Sequence, residues 1–141
     1  MLWLLDTCVV SEALRRQADA AVVKWLEAHT ARAALPVIAL GEIQYGIERL
    51  EPGRRRNALQ AWRDTLQARY ADRTLDVGEP ILRVWARLRA SLDAIGRPQQ
   101  DMDILIAATA LAHNLTLVTR NTRHFADTGV RLFDPWTGKH A

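Results

Sequence analysis

Four side chains in this sequence are of a type, and in a setting, that could do chemistry: Asp6, Glu42, Asp103 and Asn121. Asp6 ends the apolar run LWLL. Glu42 lies inside ALGEIQYGIERL, Asp103 stands directly before ILIAATALA, and Asn121 follows TLVTR. Each has an ordinary structural explanation when taken alone. Asp6, Asp101, Asp103 and Asn121 all suit a helix N-cap, and Glu42 suits an exposed helix position. Taken together they mean something else. Three carboxylates gathered without cations repel one another and raise one another's pKa values. A hard divalent cation such as Mg2+ or Mn2+ relieves that conflict, because it prefers carboxylate oxygens and water. An ion held by Asp6, Glu42 and Asp103 would lower the pKa of a bound water and neutralise a phosphate undergoing in-line displacement.

For this to happen, segments almost a hundred residues apart must meet. Residues 2–5 are a short apolar run, expected to be a buried strand that Asp6 terminates. Residues 8–15 and 19–29 are expected to be helical, and 32–37 (RAALPV) a second strand. From Ala39 to Leu50, apolar Leu40, Ile43, Ile47 and Leu50 recur at three- and four-residue steps, the spacing of an amphipathic helix. Glu42 lies one residue before that stripe, so it flanks the core. Two more helices are predicted, over 53–72 with Leu59, Trp62, Leu66 and Tyr70 on one stripe, and over 79–95 with Ile81, Trp85, Leu88, Leu92 and Ile95. The first stripe either closes the domain's own core or packs under a partner helix or a second copy of the chain. The segment 103–113 has hardly any polar face, so its helix should be buried, with Asp103 opening it. A strand over 115–118, a short helix near 121–126 and a last strand over 130–133 complete the pattern. Short apolar strands interleaved with helices imply a parallel sheet covered on both faces. Functional groups then collect at the carboxyl ends of its strands, where Asp6 and Asn121 both fall. The fold class is therefore α/β.

The 141 residues suit one domain, 1–141, with a real core. The formal net charge is +3, and of 19 basic residues only Lys24 and Lys139 are lysines; the rest are arginines. Arginine forks pair with phosphates and stack on bases, which suits a nucleic-acid ligand. No apolar stretch is long enough to span a membrane, and the start of the chain does not read as a secretory signal, so a cytoplasmic location is expected. The single cysteine, Cys8, is expected to be a small packed residue. His124 reads as a surface histidine. There is no zinc-site spacing of Cys and His, no Gly-rich phosphate loop and no Ser/His/Asp arrangement.

LLDTCVVSE, ALGEIQYGIERL and DILIAATALAHNLTLVTRNTRHF, in that order and spacing, resemble the PIN-domain ribonucleases, and most closely the VapC-type toxins of bacterial toxin–antitoxin pairs. The resemblance covers almost the whole chain. It implies a PIN-like fold with a central parallel sheet flanked by helices, and a Mg2+- or Mn2+-dependent endoribonuclease. It matches Asp6, Glu42 and Asp103 to the metal-binding and catalytic acids. It matches Thr7 to the hydroxyl residue that helps hold site groups or water. At the fourth acidic position, where many relatives carry Asp, this chain offers Asn121, which would position water or substrate without adding charge. Asp101 has no equally clear counterpart. The implied partners are RNA, a small antitoxin and a second copy of the chain. A housekeeping RNA-processing PIN nuclease is the alternative. A receiver module, which also builds an acidic magnesium pocket, would need an Asp ending a middle strand, where this chain reads LPVIA.

Overall fold

A computed structural model describes residues 1–141. The chain begins with β1 (Trp3–Leu5) and turns straight into α1 (Thr7–Ser11), whose N-terminus is capped by the Asp6 carboxylate. A 3-10 turn, Glu12–Leu14, leads to α2 (Ala20–His29), capped by the Asp19 carboxylate on the N–H groups of Ala21 and Val22. Then come β2 (Ala33–Pro36), α3 (Val37–Glu48), α4 (Arg54–Arg69) and β3 (Thr74–Leu75). Next, α5 (Glu79–Ala94) carries Pro80 in its first turn, where the missing N–H has no intrahelical partner to lose. After it follow α6 (Asp101–Ala112), β4 (Thr116–Val118), a 3-10 turn over Thr122–Phe125, β5 (Leu132–Asp134) and β6 (Lys139–His140). Asn114, just past α6, takes φ 54°, a left-handed value that asparagine tolerates and that ends the helix.

The strands form one six-stranded sheet in the order β3-β2-β1-β4-β5-β6. The first five pair in parallel, and β6 runs antiparallel to β5. Successive side chains point to opposite faces, and the core divides accordingly. Leu5, Leu35, Val118 and Phe133 pack with Val9, Val22, Ala39, Leu40, Leu66 and Tyr70 under α1 to α4. Leu4, Ala34, Leu117 and Leu132 pack with Ile106, Ala107, Ala110 and Phe125 under α6. As its sequence implied, α6 is apolar nearly all round; it packs against β4, α3 and α5. Trp3 meets Trp25 edge to face with ring centroids 5.2 Å apart, so these two tryptophans serve packing.

Several expectations need correction. The segment 8–15 is a five-residue α-helix followed by a 3-10 turn. Asp103 does not open its helix: α6 begins at Asp101, which leaves Asp103 in the first turn. The last strand of the parallel set is Leu132–Asp134, not 130–133. Two strands of two residues each, β3 and β6, were not expected, and β6 makes the sheet mixed. On the α4 stripe Leu66 and Tyr70 are buried and Trp62 packs on the core, so that stripe largely closes the chain's own interior. Ile95 lies past the end of α5 and is exposed. No helix is long and apolar enough to cross a membrane.

Candidate active site

The strand order reverses at β1, whose neighbours β2 and β4 lead away in opposite directions. In parallel sheets the crevice beyond the carboxyl ends at such a point is where ligands bind. Asp6 stands at the end of β1 and Thr119 at the end of β4, with Asp6 N–H donating to the Val118 carbonyl at 3.0 Å. The Asp6 side chain is buried, 7% exposed. Its Oδ1 accepts from Thr7 N–H at 2.8 Å, and its Oδ2 accepts from the Thr119 hydroxyl at 2.8 Å. Both partners are uncharged, so the carboxylate is oriented without being neutralised.

Thr7 carries the arrangement onward. Its hydroxyl donates to Glu42 Oε1 at 2.9 Å, tying the start of α1 to α3. Burial raises the pKa of Glu42; the Thr7 hydrogen bond opposes the rise, and the Asp6 and Asp103 carboxylates add to it. Asp103 is pushed up by burial too, with His124 opposing and Asp6 reinforcing the shift. The sequence-predicted trio is therefore brought within electrostatic reach of one another. It does not form a ready-made cage: no three His, Cys, Asp or Glu side chains stand close enough to close round a metal ion. The donor set nonetheless fits a hard divalent cation, being carboxylate oxygens whose mutual repulsion is unrelieved by lysine or arginine.

The other candidates separate. Asn121 is exposed, and its N–H donates to Thr119 Oγ1 at 3.0 Å. The side chain that reaches Asp103 from the same turn is His124, with Nδ1 3.6 Å from Asp103 Oδ2. His124 is thus a surface residue, as expected, but one that borders the site. Asp101 pairs with Arg89 of α5 on the exposed side of the helix. Cys8 lies 3.7 Å from Asp6 Oδ2; burial and that carboxylate push its thiol up to about 12, so it stays protonated and packs. Sequence reasoning missed Thr119, which is fully buried and orients Asp6. Its one sequence signal was its place at the end of a strand, as with Asp6.

The PIN domain pattern matches residues 3–130. The chain is 35% identical to toxin FitB of Neisseria gonorrhoeae over 94% of its own length and 97% of that protein's. It is 31% identical to a VapC ribonuclease of Sinorhizobium fredii, covering 94% of this chain and 96% of that one. A solved structure of FitAB bound to a DNA fragment superposes with a TM-score of 0.89 at 34% identity, covering 96% of each chain. With that pattern spanning every helix and the first four strands, the chain belongs to the PIN-domain family.

Proposed function

We propose that the chain is an endoribonuclease that hydrolyses phosphodiester bonds in RNA with Mg2+ or Mn2+, and that it is the toxin of a toxin–antitoxin pair. The observation that carries this reading is the gathering of Asp6, Glu42 and Asp103 from three distant segments at the sheet's reversal point, with the pKa of Glu42 and of Asp103 raised. The names of relatives similar over almost the full length, a toxin and a ribonuclease, agree with it.

Asp6, Glu42 and Asp103 would hold the ion, which supplies charge neutralisation at the phosphate and a more acidic water. The chain's own residues supply position. Thr7 N–H and the Thr119 hydroxyl hold Asp6, and the Thr7 hydroxyl holds Glu42. His124 lies against Asp103. Asn121, exposed just past the end of β4, positions water or substrate by hydrogen bonding, and Arg120 and Arg123 near it in sequence hold the strand's phosphates. Residues 1–141 act as one domain in the cytoplasm, where RNA and a small antitoxin meet it, and two copies form a homodimer.

The test is to express the protein with and without the product of the neighbouring small gene and sequence RNA 5′ ends. New ends appearing only without that product support the toxin reading. Cleavage that the partner leaves unaffected makes a housekeeping PIN nuclease the better account. Full cleavage after exhaustive chelation refutes metal dependence.

A further inference from the structure

Beside the acids lies a groove that the catalytic scheme does not use. It is a cavity of about 390 Å³ lined by Gly41, Glu42 and Tyr45 of α3 and by Gln100 and Met102 at the start of α6. Two of its walls are large apolar side chains facing solvent: Tyr45 is 65% exposed and Met102 52%. The Arg49 guanidinium lies over the Tyr45 ring, 5.5 Å from its centroid. Gly41 and Tyr45 are one turn apart on the same helix face. A side chain added at Gly41 would meet nothing within 4 Å, so the bare glycine leaves the groove open there. One wall is Glu42 itself, so an occupant of the groove sits directly beside the acids.

We propose that this groove receives an unpaired nucleobase of the RNA substrate, stacked on Tyr45 next to the phosphate being cleaved; this rests on the endoribonuclease reading above. Aromatic side chains bind single-stranded RNA by base stacking, and a cation beside the ring suits the adjoining phosphate. Gln100 supplies an amide able both to donate to and to accept from a base edge. Met102 adapts to bases of differing shape. Exposed Tyr and Met also suit a protein partner such as the antitoxin proposed above, but the Gln100 amide and the Arg49 cation at the ring match a base with its phosphate more closely. Tyr45 and Gly41 thereby fix where the nucleotide beside the cut is held, whatever its base.

The experiment is steady-state cleavage of a fluorophore–quencher-labelled, mixed-sequence single-stranded RNA with Mn2+, comparing the full-length protein with Tyr45→Ala, Tyr45→Phe and Gly41→Leu. Thermal melting and sedimentation velocity are run on each. Tyr45→Ala should raise KM about tenfold or more with kcat little changed, and Tyr45→Phe should stay near the parent. Gly41→Leu improves helix propensity and fills the groove, so it should fold and show the same rise in KM. It keeps the test intact if Tyr45→Ala melts early. A cleaving parent whose KM is unmoved by Tyr45→Ala and Gly41→Leu overturns the inference alone. So does a sedimentation change showing that Tyr45→Ala splits a dimer the parent forms. A parent that cleaves no RNA overturns the functional reading and this inference with it.

Discussion

Two acidic residues lie close in sequence and are treated in opposite ways. Glu12 is 3% exposed, and both of its oxygens are used within the chain: Oε1 accepts from Arg15 at 3.2 Å and Oε2 from Asp19 N–H at 3.1 Å. It anchors the connection from α1 to α2. Asp6 is almost as buried, but its partners are an amide and a hydroxyl, and its charged neighbours are other carboxylates. A buried acid with a cation and hydrogen bonds is a structural element. A group of acids held together with no lysine or arginine among them, and only His124 against Asp103, stores repulsion that a divalent ion can relieve. The difference lies in what surrounds each carboxylate, since burial alone does not separate them.

Substitution should break this contrast most sharply at Asp6 and Asp103. Asp6→Asn or Asp103→Asn should lower RNA cleavage by roughly a hundredfold or more, as loss of an ion worth several kcal/mol of charge stabilisation requires. Melting temperature should hold or rise, because a like charge is removed. Cleavage at the parent rate by either variant would remove that residue from the site. In the same series Mn2+ should stabilise the parent by about 2.7 kcal/mol at a hundredfold excess over its Kd, and Asp103→Asn far less. Differential scanning fluorimetry reads both.

Glu12→Ala should do the reverse. Two donors lose their acceptor, so unfolding in urea should show a loss of about 1–3 kcal/mol. The kcat, measured where the variant is folded, should match the parent; a collapse of kcat would place Glu12 in the functional group.

Thr119→Val tests the link between packing and chemistry. It keeps the shape but leaves Asp6 Oδ2 without its 2.8 Å hydroxyl donor and the Asn121 N–H without its 3.0 Å acceptor. A loss of about 1 kcal/mol in stability and of about tenfold in kcat is expected, with Thr119→Ser retaining most of both. Equal kcat in the parent and Thr119→Val would show that Asp6 needs no help from β4.

The smallest effect concerns pH. Glu42 and Asp103 have pKa values raised above their ordinary 4.5 and 3.8, so the folded chain favours their protonated forms. Their contribution to the stability of the metal-free protein is complete below those ordinary values and is lost as pH rises through the raised ones. Melting curves in EDTA should show this fall, and Glu42→Gln should flatten it. A parent whose contribution from these groups grows with pH would contradict the assignment. Both groups are only partly buried, so solvent screening keeps the change modest.

Much of this was legible in the sequence. The apolar run before Asp6, the three- and four-residue spacing around Glu42 and the all-apolar helix after Asp103 reflect local periodicity, and the matching elements are present as β1, α3 and α6. Two-residue strands such as β3 and β6 are too short to carry a pattern; neighbouring backbone alone creates them. Composition and periodicity therefore determined an α/β chain with Asp6 at a strand end, Asp103 near a helix start and Glu42 beside an apolar helix stripe. Only the tertiary structure decided that Thr119 orients Asp6, that His124 borders Asp103 while the Asp101 carboxylate pairs with Arg89, and that Tyr45 opens onto a groove beside Glu42. These are contacts between residues up to 113 positions apart, made where parallel strands end side by side, and no local signal encodes which side chains will face one another there.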